Sequence, residues 1–128
     1  MKLLKGKVVS GIGDFSKKMK DIPGLLDAYE RKTGMRFFPG TLNIQLEHNW
    51  SVPDGSLRLE KEDYNGTVSA YIVPCILLEK KSFILRTEKN EEEKGAHSKS
   101  IIEVASDVRF RDFFNLKDGD SVEVEILG

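Results

Sequence analysis

One cysteine in 128 residues is too few for an internal disulfide. No disulfide framework can hold this fold, and a reducing compartment is permitted. Cys75 lies in an apolar run and reads as a small core hydrophobe. An excess of basic charge is also missing: 20 Lys and Arg stand against 21 Asp and Glu, for a formal net charge of −1. General nucleic-acid binders usually carry a strong basic surplus, so that class loses support. No apolar run approaches the roughly 20 residues of a membrane span. The apolar stretch in Met1–Lys5 is too short for a signal peptide, and a cytoplasmic location is the default expectation. There is no Walker A motif and no long Rossmann glycine fingerprint. A zinc pattern is absent, because His48 and His97 lie far apart beside a single cysteine. No G-x-S-x-G elbow occurs either. Most familiar enzyme classes therefore lack support.

What is present suits a soluble globular domain spanning residues 1–128. Hydrophobic residues make up 39% and charged residues 32%, and the length allows a real core without staples. Leu3 to Ser10 reads as a first strand, followed by a loop from Gly11 to Ser16. Pro23 in a first turn, Leu25, Leu26 and Tyr29 at helical spacing, and Gly34 just past the end predict a helix over 22–33. Leu42, Ile44 and Leu46 alternate with Thr41, Asn43 and Gln45, the pattern of a half-buried strand. Asn65-Gly66 signals a tight hairpin into Thr67–Val73, and Pro74 marks an edge or a bulge. A second hairpin, Ile76–Leu78 with Phe83–Leu85, is expected to turn at Lys80-Lys81. Glu88–Lys94, almost wholly charged, reads as a solvated loop tip. Ser100–Val104 is a short strand, Asp107 is placed to cap a short helix through Phe114, and Val122–Ile126 alternates as a final strand. Six or more short strands, two helices and no βαβ alternation predict a mainly β architecture: a small β-barrel with one or two helical insertions.

Several residues carry chemistry as well as structure. Gly11-Ile12-Gly13 would make a plain turn or, alternatively, bring bare backbone N–H groups close to phosphates, with Lys17 or Lys18 adding positive charge. Thr41 and Asn43 sit at i and i+2 of a strand, so both oxygens share one face. That face is an ordinary polar surface, or a pair of hard oxygen ligands suited to Mg²⁺. Both ligands are neutral, so the metal would need phosphates to supply negative charge. Glu103 stands amid Ile101, Ile102, Val104 and Ala105, as a solvent-facing carboxylate or a positioned acceptor. His97 after the charged run, and Arg109 with Arg111, are either exposed surface or ligand contacts.

In order and spacing, these pieces resemble the archaeal-type CTP-dependent riboflavin kinases across nearly the whole chain. The resembling text is Val8-Val9-Ser10-Gly11-Ile12-Gly13, Phe38-Pro39-Gly40-Thr41-Leu42-Asn43, His97, Ile101-Ile102-Glu103, and Phe114-Asn115-Leu116-Lys117-Asp118-Gly119-Asp120. The resemblance implies a six-stranded cradle-loop (RIFT-like) barrel that transfers the γ-phosphoryl group of CTP to riboflavin, giving FMN and CDP. It implies nucleotide contacts from Gly11, Ile12, Gly13, Asp14, Phe15 and Ser16 and from Val108, Arg109, Phe110 and Arg111. It also implies Mg²⁺ on Thr41 and Asn43 and flavin contacts from Gly95, His97 and Glu103; as the catalytic candidate, Glu103 would orient or deprotonate the flavin ribityl hydroxyl, or else merely hydrogen-bond the flavin. Small-molecule substrates, no nucleic acid, no membrane and a monomer are the expected partners and state. The chain departs from the family in its first loop, where Phe15 and Ser16 replace a further glycine and an aromatic pair, and at Gly95, where the family often has threonine. Other readings of the same barrel are a non-catalytic flavin or nucleotide sensor, a kinase with another donor or acceptor, and an interaction or DNA-binding module.

Overall fold

The computed structural model describes residues 2–10, 15–92 and 98–127. Seven strands form one antiparallel sheet: β1 (Lys2–Val9), β2 (Leu42–Leu46), β3 (Leu57–Leu59), β4 (Ala70–Leu77), β5 (Lys80–Thr87), β6 (Ile101–Ala105) and β7 (Ser121–Ile126). Their order is β3-β4-β5-β6-β2-β1-β7, and β7 pairs back onto β4, so six strands close a barrel and β3 extends β4 outside it. Closure removes the free edges that an open sheet would expose.

Strand alternation explains where the core sits. Leu4 and Val8, Leu42 and Ile44, Val73, Cys75 and Leu77, Ile84, Ile102 and Val104, and Val122 and Val124 all belong to one buried cluster inside the barrel. Each such Leu or Ile contributes roughly 1.5–3 kcal/mol by leaving water. Cys75 is fully buried there, and burial pushes its thiol up to about 12. A second cluster lies on the outer face. There Ile72, Phe83, Leu85 and Ala105 pack against Phe15, Met19, Leu25, Ala28, Tyr29 and Phe37. The helices α1 (Phe15–Asp21) and α2 (Leu25–Thr33) supply most of that layer. Among the described residues, no helix is long and apolar enough to cross a membrane.

The expected helix over 22–33 is α2, which begins only at Leu25, and α1 is a separate helix before it. Pro23 disfavours helical backbone at the residue before it, and Gly24 adopts φ +81°, which breaks the path between α1 and α2. The C-terminal expectation holds: Gly34 is left-handed and its N–H donates to Glu30 O at 2.8 Å.

Asn65-Gly66 does not turn a tight hairpin. It ends a 3₁₀ turn, Lys61–Tyr64, within the longer connection from β3 to β4. Gly66 is there because a Cβ would meet the Tyr64 ring at 1.9 Å.

The β4–β5 hairpin turns at Leu78-Glu79, not at Lys80-Lys81. Leu77 pairs with Lys80, and both loop residues have positive φ (51° and 66°). Pro74 lies where β4 changes partner from β3 to β7, and its carbonyl accepts from Leu127 N–H. N–H and C=O of one strand residue point the same way, so its missing donor faces that seam.

The charged stretch after β5 is no solvated loop tip, at least through residue 92. Thr87 caps a short helix, α3 (Glu88–Glu91), by accepting from Asn90 N–H. Glu91 Oε1 lies 3.1 Å from Nη1 of Arg86, which is 3% exposed. Arg86 also donates to the carbonyls of Trp50, Lys99 and Ile101. A guanidinium this deep needs an anion, and α3 brings one.

Asp107 does not cap the last helix, α4 (Phe110–Phe113), whose N-cap position is Arg109. The Asp107 carboxylate instead pairs with Lys80 at 2.7 Å.

Candidate functional site

The run Phe38-Pro39-Gly40 folds into a three-residue turn, with Gly40 N–H donating to Phe38 O at 2.8 Å. Phe38 N–H donates to Ser106 O at 2.8 Å, which pins this turn beside the end of β6. Thr41 N–H donates to Ser16 Oγ at 3.2 Å, which joins the entry of β2 to the first turn of α1. These ties bring three distant segments around one cleft of about 220 Å³: Ser16 and Lys20, Phe38–Leu42, and Val108–Arg111. Ser16, Thr41, Val108, Arg109, Phe110 and Arg111 thus line one cleft.

Phe15 does not line the cleft; it is buried in the outer core. The lysine at the cleft is Lys20, one helical turn after Ser16, rather than Lys17 or Lys18. Lys18 borders a small void with Phe15 and Tyr29 instead. Gly11, Ile12, Gly13, Asp14, Gly95 and His97 lie outside the described residues.

Beside the cleft, β2 and β6 set Asn43 directly opposite Glu103. Their sequence neighbours point into the barrel, so both side chains take the outer face. Thr41 Oγ1 donates to Glu103 Oε1 at 2.8 Å, and Glu103 is only 6% exposed. Asn43 Oδ1 is buried without a hydrogen-bond partner among the described residues. An unpaired buried carbonyl oxygen costs about 1–3 kcal/mol, and this one is available to a ligand. The donors fit a hard cation such as Mg²⁺. The Thr41 hydroxyl directs its O–H to Glu103 and keeps lone pairs, and the Asn43 oxygen has no partner among the described residues. No group of three or more His, Cys, Asp or Glu capable of holding a metal occurs among the described residues.

The two arginines differ. Arg109 is half exposed and bonds Asp112 at 2.7 Å. Arg111 Nη2 donates to Val9 O, Ser10 Oγ and Asp118 Oδ1, at 3.1, 2.9 and 2.6 Å. Ser10 Oγ also donates to Asp118. The Ser10 hydroxyl and the Arg111 guanidinium hold the Asp118 carboxyl below the usual range. This clasp joins the end of β1 to α4 and to the turn before β7, and sequence reasoning missed both Ser10 and Asp118. Ser10 and Arg111 are 101 residues apart, and no local pattern signals such a contact. Tyr29 was read only as a helix-face residue. It is buried, and its phenol is pushed up by desolvation and by the charges of Tyr64 and Glu103.

A larger hollow, about 690 Å³, lies against β1, β2 and β7 and is lined by residues such as Lys5, Gln45, Glu47 and Ser121. None of the expected site residues lines it. Size favours the hollow, but convergent polar groups favour the smaller cleft.

Comparison with known proteins finds relatives along nearly the whole chain. The family model CTP-dep_RFKase, described as "Domain of unknown function DUF120", matches residues 8–126. A riboflavin kinase of Pyrobaculum aerophilum is 31% identical over 95% of this chain and 59% of its own length. One of Staphylothermus marinus is 32% identical over 96% of this chain and 90% of its own. One of Methanosarcina barkeri is 28% identical over 96% of this chain and 56% of its own. The chain thus spans about three-fifths of the Pyrobaculum and Methanosarcina relatives and most of the Staphylothermus one. With a six-stranded closed barrel and a match over nearly its whole length, the chain belongs to the archaeal CTP-dependent riboflavin kinase family.

Proposed function

We propose that this protein transfers the γ-phosphoryl group of CTP to the 5′-hydroxyl of riboflavin, giving FMN and CDP, with Mg²⁺ as the metal. One observation carries the reading. Ser16, Thr41 and Val108–Arg111 line one cleft, and beside it lies the buried Asn43 oxygen, with no hydrogen-bond partner among the described residues.

Phosphoryl transfer asks for alignment and charge neutralisation more than for covalent chemistry. Lys20 and Arg109 place positive charge at the cleft, where a triphosphate would need it. Thr41 and Asn43 would hold Mg²⁺, which when bound neutralises phosphate oxygens. Arg111, held by Asp118, forms part of the cleft wall and keeps the end of β1 close to it. Glu103 is the carboxylate next to the metal pair, available to accept the proton or hydrogen bond of the flavin's ribityl hydroxyl. A positioned base of this kind contributes about 10²–10⁴-fold in rate.

The reading is tested by Thr41→Val and Arg109→Ala in steady-state assays. Thr41→Val should lose most Mg²⁺-dependent turnover. Arg109→Ala should raise the KM for nucleotide more than it lowers kcat. Near-normal kinetics in both variants would remove the cleft from the reaction.

A further inference from the structure

The metal pair has a chemical weakness: Thr41 and Asn43 are both neutral. Mg²⁺ sites in proteins usually carry one or two carboxylates besides substrate phosphates. Here the nearest carboxylate is already bonded to one member of the pair, with Thr41 Oγ1 donating to Glu103 Oε1 at 2.8 Å.

A threonine hydroxyl has one proton and two lone pairs. With the proton committed to Glu103, the oxygen can only accept, and its rotamer is fixed. Register strengthens the arrangement. Glu103 stands directly across from Asn43, so one carboxylate is hydrogen-bonded to one member of the pair and paired in register with the other. Glu103 lies between the buried Ile102 and Val104 and is itself 6% exposed, so solvent screens its charge poorly. We propose that Glu103 is a positioning residue for the metal: through Thr41 it orients the hydroxyl lone pairs toward the cation and supplies the negative charge that Thr41 and Asn43 lack. This rests on the Mg²⁺ reading of Thr41 and Asn43 and extends it to a third residue. It is separate from any bond between Glu103 and the flavin, and it predicts a defect that appears without flavin.

The test is binding of CDP, measured calorimetrically over a MgCl₂ titration in the absence of riboflavin. Glu103→Gln keeps the size and an acceptor oxygen but removes the charge. It should raise the Mg²⁺ concentration that half-maximally enhances CDP binding by about 10–100-fold. Metal-free CDP binding should be unchanged. Thr41→Val should also raise the midpoint, and adding Glu103→Gln to it should cost less than Glu103→Gln does alone, because the part that runs through the hydroxyl is already lost. Thr41→Ser, which keeps the hydroxyl, should stay near the unsubstituted protein. A Glu103→Gln midpoint within about twofold of the unsubstituted protein, together with lost turnover, would overturn the proposal and place Glu103 on the acceptor alone. If Mg²⁺ has no effect on CDP binding by the unsubstituted protein, the metal reading of Thr41 and Asn43 fails first.

Discussion

Asn43→Leu should make the protein more stable and less active. Asn43 Oδ1 is buried, and among the described residues it has no hydrogen-bond partner. Leaving such a group unpaired costs about 1–3 kcal/mol. Leucine has a similar volume, removes that oxygen, and suits a strand position better than asparagine. Part of the gain is offset by shape mismatch, which typically costs below about 1.5 kcal/mol for a volume-conserving swap. The net expectation is a stabilisation of about 1–2 kcal/mol, or a rise in Tm of roughly 3–8 °C for a chain of this size. The assay is thermal unfolding in metal-free buffer, followed by Mg²⁺-dependent turnover on the same preparation. If the oxygen is kept for a ligand, stability rises while turnover collapses. A lower Tm with undiminished turnover would refute the reasoning, because Asn43 would then be a structural residue whose partner had been overlooked.

Arg86→Met takes one partner from Glu91, which keeps Lys99 and Val52 N–H, and leaves three carbonyl oxygens without their donor, so it should destabilise by about 3 kcal/mol in urea unfolding. A loss below about 1 kcal/mol would contradict this. Leu78→Asn with Glu79→Gly supplies the residues that two left-handed positions favour and should add about 1 kcal/mol, read from the shift in urea midpoint. Asp118 has a depressed carboxyl pKa in the fold, so its stabilisation is present above the ordinary Asp value near pH 4 and is lost as pH falls through the folded value. Asp118→Asn should therefore flatten the acid limb of a Tm-versus-pH series below about pH 4. It should also raise the nucleotide KM by loosening Arg111, whereas an unchanged acid limb would remove the clasp from the stability balance.

Much of the barrel was legible because β2 and β7 bury one face and show it as strict alternation. β4 did not alternate cleanly, since its residues face the barrel interior on one side and the outer hydrophobic layer on the other. Its turn carries Leu78 and Glu79, which signal nothing, although both take left-handed backbone. α1 was missed because seven residues with three lysines show too few apolar positions for a helical period. α3 was hidden by charge, and its meaning lies in a buried arginine upstream. Within the site, the shared face of Thr41 and Asn43 followed from period two alone. The apposition of Asn43 and Glu103 depends on the β2–β6 register, which local pattern does not encode. The clasp of Ser10, Arg111 and Asp118 is likewise a product of barrel closure.

Phosphoryl transfer from CTP to riboflavin can be read from chromatography of the reaction products. The protein is incubated with riboflavin, Mg²⁺ and each of CTP, ATP, GTP and UTP in turn. FMN and CDP should form with CTP, far less FMN with the other donors, and none when EDTA removes the metal. No FMN from any donor would contradict this reading.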